Sequence, residues 1–222
     1  MNIRELAKWF LLAWLGLVIW AAFLYVPPAD RFVGESSRIV FFHVPMAWIA
    51  VLAFLISCVA SVLYLRRREP RHDIRAAVAA GLGLLFAILA TVTGAVFARI
   101  MWGAYWNWDP RQTSIVILMV IYAAYFALRG AVPDPERRAA LAAVYAILAF
   151  VTVPFLVFVV PRIYWSLHPD TIINTRGVNE FDSRHTQVLM ASLAGFTGLF
   201  VWFYTIGCRV EAIRRRRQQE AL

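Results

Sequence analysis

The sequence predicts an all-α integral membrane protein with six transmembrane helices. Three observations carry that prediction. First, 62% of the 222 residues are hydrophobic and only 16% are charged, against about half and about a quarter in soluble domains. Second, apolar runs of roughly 20 residues recur, each long enough to cross a hydrocarbon core of about 30 Å. Third, the basic residues sit in short blocks between those runs, where they set topology. The helix bundle is then its own core, so residues 1–222 are expected to form a single domain. Its helices are expected at about 9–26, 39–65, 76–98, 110–128, 139–160 and 185–207.

The first run, from Trp9 to Val26, follows Arg4, Glu5 and Lys8. It is long for a signal-peptide core and no small-x-small site follows, so it reads as an uncleaved spanning helix. Pro27-Pro28 stops it. The second helix opens near Phe42-His43-Val44-Pro45, where proline is tolerated in a first turn, so His43 is expected at the membrane boundary. The block Arg66–Arg75 reads as a short basic loop, with His72 solvated in it. The third run carries Gly81, Gly83 and Gly94 as close-packing positions.

A tryptophan-rich loop, Trp102 to Thr113, comes next. Its Asp109-Pro110 pair reads as a helix cap followed by proline at the first helical position, which starts the fourth helix. Pro154 is placed to kink the fifth helix. The longest connection, Pro161 to Arg184, holds Trp165, His168, Asp170, Asn174 and Asn179. The sixth run ends near Gly207, before a polar tail with Arg214–Arg217. Cys58 and Cys208 fall inside apolar runs and read as small buried residues.

Fifteen of the 22 lysines and arginines lie at the N-terminus, in 66–75, in 129–138 and in the tail, and seven lie in the other connections. Positive loops stay inside, so both termini are expected in the cytoplasm. His43, the tryptophan loop and His168 then share the outer face. The net charge of +9 is absorbed by this topology, which argues against a nucleic-acid partner. Walker, His-Glu-x-x-His and Gly-x-Ser-x-Gly motifs are absent from the sequence.

Three of the nine tryptophans fall between Trp102 and Trp108, beside Tyr105. Such a cluster serves either as an interfacial anchor or as a flat shelf for a flat ligand. Two histidines able to approach from opposite faces suit a metal at the centre of that ligand, and haem has such a centre. Its propionates would call for an arginine, with Arg111 nearest and Arg99, Arg162 and Arg184 behind it. His43 and His168 fit the two axial positions, and His185 is a rival. A small-solute permease and a non-haem assembly subunit are the readings from other classes.

The pattern Trp102-Gly103-x-x-Trp106-x-Trp108-Asp109-x-Arg111-x-Thr113 resembles the WWD signature of the haem-handling proteins of cytochrome c maturation. The six-helix length, Phe42-His43-Val44-Pro45 and Leu167-His168 look like the CcmC type. Tyr105 stands where many relatives carry tryptophan, which keeps a ring and adds a hydroxyl. Pro110 is also similar to the CcsA-type cytochrome c synthases, which usually have more helices, so a CcsA-like synthase component is the close alternative. The resemblance implies a non-enzymatic protein of the bacterial inner membrane that holds haem b as cargo at the outer face. His43 and His168 would be the axial ligands. Trp102, Gly103, Tyr105, Trp106, Trp108, Asp109 and Arg111 would form the binding loop. It further implies delivery to the haem chaperone CcmE and association with the CcmA–CcmB transporter and CcmD.

Overall fold

The computed structural model describes residues 2–29, 34–168 and 182–220. Asp30, Arg31, Asp170, Asn174, Arg176 and Asn179 lie outside the described residues. The elements are α1 (Ile3–Trp20), α2 (Val40–Arg67), α3 (Pro70–Trp102), α4 (Pro110–Ala131), α5 (Pro135–Pro154), α6 (Val160–Ile163) and α7 (Ser183–Glu220). Among the described residues six helical stretches are long and apolar enough to cross a membrane, α5 and α6 forming one of them. The protein is a multi-pass membrane protein.

The helices are longer than the apolar runs predict. Only Arg68 and Glu69 separate α2 from α3, so most of the expected 66–75 loop is helical. Arg68 ends α2 in the left-handed conformation, and Pro70 opens α3 at its first turn. His72 is consequently 3% exposed, buried in the first turn of α3 rather than solvated. The tail is helical too. α7 runs for 38 residues, about 57 Å at 1.5 Å per residue, and outreaches the hydrocarbon core. Cys58 and Cys208 are free and half-buried rather than buried.

α2 is the central element and packs against α3, α5 and α7. Close approach to α3 depends on small residues. A Cβ at Gly83 would lie 2.6 Å from Cδ1 of Phe54, and Phe54 stacks on Tyr122 of α4 with ring centroids 3.6 Å apart. Pro45 sits inside α2 and has no N–H to give to the Phe41 carbonyl. Ser192 of α7 donates its hydroxyl to that carbonyl instead. The bond helps seat the start of α2, and with it His43, against α7. Pro154 closes α5, and the chain passes through a wider turn at Phe155–Val159 before α6.

α1 lies at the periphery against α7. The Trp14 indole N–H donates to the Ala191 carbonyl at 2.8 Å. Arg38, in the 3-10 turn Glu35–Ile39 that leads into α2, reaches back to the Ala22 and Val26 carbonyls. These are carbonyls at the end of the first helix, where cationic side chains are favourable partners.

One end of the bundle carries a buried ion-pair cluster. Asp73 of α3 is 4% exposed. It accepts from Arg129 of α4 at 2.6 and 3.1 Å and from Arg215 of α7 at 2.8 Å. Polar groups therefore gather at both ends of the bundle.

Candidate functional site

The opposite end holds the tryptophan loop. α3 extends through Trp102, so this tryptophan is the last residue of a helix rather than part of the loop. Gly103 follows at φ +79°, a left-handed cap that glycine adopts without steric cost. Trp102 is half-buried, edge-on to Phe97 with centroids 5.7 Å apart. The loop is braced from within. The Gln112 side chain accepts from the Asn107 N–H at 2.9 Å and donates to the Tyr105 carbonyl at 3.4 Å.

Trp106 and Trp108 stand perpendicular, with centroids 5.8 Å apart. Trp106 is half-buried, whereas Trp108 is 77% exposed and has a backbone φ of +55°. Tyr105 is exposed and lies under the Arg99 guanidinium, 5.8 Å from its ring centre. Across the connection, Tyr164 and Trp165 are exposed as well.

Asp109 joins this loop to the next connection. It caps α4 by accepting from the Arg111 N–H at 2.9 Å. It also accepts from the Ser166 hydroxyl at 2.9 and 3.0 Å and from the Leu167 N–H at 2.7 Å. The Ser166 oxygen in turn accepts from the His168 N–H at 3.1 Å. A carboxylate 5% exposed requires such donors, because burying it without them costs several kcal/mol. Its bonds fix where His168 emerges.

His43 lies in the first turn of α2 and is half-buried. Its Nδ1 is 3.0 Å from the Thr93 hydroxyl of α3. Gly94 makes room for the ring, since a Cβ there would lie 3.0 Å from its Cε1. The His43 and His168 rings are neighbours, with centroids 6.1 Å apart and planes 34° apart. Two imidazoles bound to one metal through bonds of about 2 Å put their ring centres about 6 Å apart. Arg111, half-buried, acts electrostatically on His43.

The other candidates have local roles. His185 is buried against Phe41, with its Nδ1 2.8 Å from Asp182. The bonds from the His185 backbone N–H and ring hold the Asp182 carboxyl below its ordinary value. Arg99 donates to the Gly103 carbonyl, Arg162 to the Phe158 carbonyl, and Arg184 stacks over Tyr25.

A family model described as heme exporter protein C matches residues 2–222. The chain belongs to the heme exporter protein C family. It is 35% identical over 212 residues to the heme exporter protein C of Bradyrhizobium diazoefficiens, covering 92% of this chain and 80% of that one. The corresponding protein of Rhodobacter capsulatus is 33% identical over 202 residues, covering 90% and 81%. That of Escherichia coli K12 is 28% identical over 203 residues, covering 88% and 80%.

Within this member of the heme exporter protein C family, two polar contacts that help position the histidine pair join residues far apart in the sequence. Thr93 lies 50 positions from His43, and Ser166 lies 57 from Asp109. Ser166 alone has a local signal, standing two residues before His168 in a connection that otherwise reads as turn.

Proposed function

We propose that the protein binds haem at the outer face of the bacterial inner membrane and hands it to the chaperone CcmE for c-type cytochrome biogenesis. The observation that carries this reading is the approach of His43 and His168 to 6.1 Å beside the tryptophan loop. Haem brings four equatorial nitrogens of its own and takes two axial imidazoles. A histidine pair at this spacing suits it.

Trp106, Trp108 and Tyr105 offer the apolar surface on which the macrocycle rests. Trp102 and Gly103 end α3 and set the loop's departure. Asp109 holds the loop to the segment bearing His168, and Arg111 is the cation for a propionate. The exposure of Trp108 leaves one side open, as cargo that must leave requires. Handling of this kind is transfer, not catalysis, and CcmA, CcmB and CcmD are its associated partners. The basic ends of the helices face the cytoplasm and its anionic lipid headgroups.

The test is an absorption spectrum of the protein purified in mild detergent and supplied with haem. A low-spin Soret band is expected in the parent. It is expected to be lost or shifted in the H43A and H168A variants. A parent that takes up no haem, or variants with the parent's spectrum and occupancy, would overturn the reading.

A further inference from the structure

We propose that Thr93 is a positioning residue that holds His43 as its Nδ1–H tautomer and leaves Nε2 as the iron-binding atom. This rests on the haem-binding reading above. The argument is one of counting protons. The Thr93 hydroxyl has one hydrogen and lies 2.9 Å from the Leu89 carbonyl and 3.0 Å from the Ala90 carbonyl. Both are acceptors only, and a helical threonine ordinarily turns its hydroxyl back on the preceding turn. With its hydrogen engaged there, its oxygen offers a lone pair to His43 Nδ1 at 3.0 Å. The nitrogen facing a lone pair must carry the proton.

A neutral imidazole with hydrogen on Nδ1 has its free pair on Nε2. The reverse tautomer would place two lone pairs against each other or require the Thr93 hydroxyl to turn away from both backbone carbonyls. Metal-ligating histidines generally give the distal N–H to a fixed acceptor, which sets the ring's orientation and raises its basicity. Here the acceptor sits on α3 and the histidine on α2, the two helices with the most extensive mutual contact. Gly94, adjacent to Thr93, leaves space for the ring to reach it.

Two measurements test this. The first needs no haem: 15N NMR of histidine-labelled protein in detergent, with the H43A spectrum used to assign His43. Parent and T93S are expected to show Nδ1 protonated, while T93V, which keeps the shape and loses the acceptor, is expected to shift toward the Nε2–H form. A parent with Nε2 protonated, or a T93V spectrum like the parent's, would overturn the assignment. The second is haem titration. T93V is expected to bind about 10–100-fold more weakly, with part of the low-spin band lost, and T93S to recover the parent's affinity and spectrum. T93V affinity equal to the parent's, with H43A still impaired, would overturn Thr93's role alone. If H43A keeps the parent's band, the ligand assignment of His43 fails, and the role of Thr93 toward iron with it.

Discussion

Two aspartates, both at most 5% exposed, mark the two ends of this molecule. They are held in opposite ways. Asp73 is gripped by two guanidinium groups from two other helices, so α3, α4 and α7 meet at a point of charge. Asp109 is bonded by backbone N–H groups and a serine hydroxyl, and it joins a loop to another connection. Breaking an ion pair that is largely out of water strands a charge on the remaining partner. The Asp109 carboxylate shares several neutral donors, so giving up one leaves the others in place and costs less. One end is therefore fastened and the other is adjustable, and the adjustable end carries the histidine pair. On the proposed haem-transfer reading, that distribution keeps the bundle fixed while the site adjusts to its cargo.

The largest expected effect is on the fastened end. D73N removes the charge that Arg129 and Arg215 share, and the loss should be about 3–5 kcal/mol, read as a lower Tm in detergent. Haem bound per folded molecule should not change. A Tm equal to the parent's would remove the contrast between the ends.

D109N is expected to reverse that pattern. An amide has one acceptor oxygen for donors that two carboxylate oxygens now share, so stability should fall by about 1–3 kcal/mol. Haem affinity should fall further, by about 10–100-fold, as expected when an outer partner of a ligand is lost. Titration with haem beside a melting curve separates the two effects. An affinity unchanged from the parent would show that the Asp109 bonds do not set His168.

The smallest effect sharpens the contrast by a few tenths of an ångström. G94A puts a methyl 3.0 Å from His43 Cε1, while alanine is by about 1 kcal/mol the better helix former. Thermal stability should hold or rise, while haem affinity falls by less than about tenfold and the low-spin band shifts. Equal affinity and spectrum would mean the ring has slack that the contact does not suggest.

The spanning architecture is legible in the sequence because it is written in local hydrophobicity. Asp109-Pro110 is legible for the same reason, since a cap and a first-turn proline are adjacent in the chain. Charge, by contrast, misleads at the basic end. Arg66–Arg75 looks like a loop, yet arginine is a good helix former and its aliphatic stem packs while the head reaches water. The same reading places His72 in solvent, whereas the structure buries it. Asp73 gives no signal at all, because its partners lie 56 and 142 positions away. His43 and His168 could be named as candidates, but which atoms orient them depends on helix register between α2 and α3, which no periodicity reports.

Trp108 has a further consequence. Its backbone lies at φ +55°, a conformation that costs an L-residue roughly 1–2 kcal/mol and glycine almost nothing. A chain drifting only toward greater stability would exchange this residue for glycine early. Holding an indole here requires a steady penalty against that drift. The position works as a gauge: the strength with which a library of variants rejects glycine at 108 measures how much the side chain is needed, separately from any preference of the backbone.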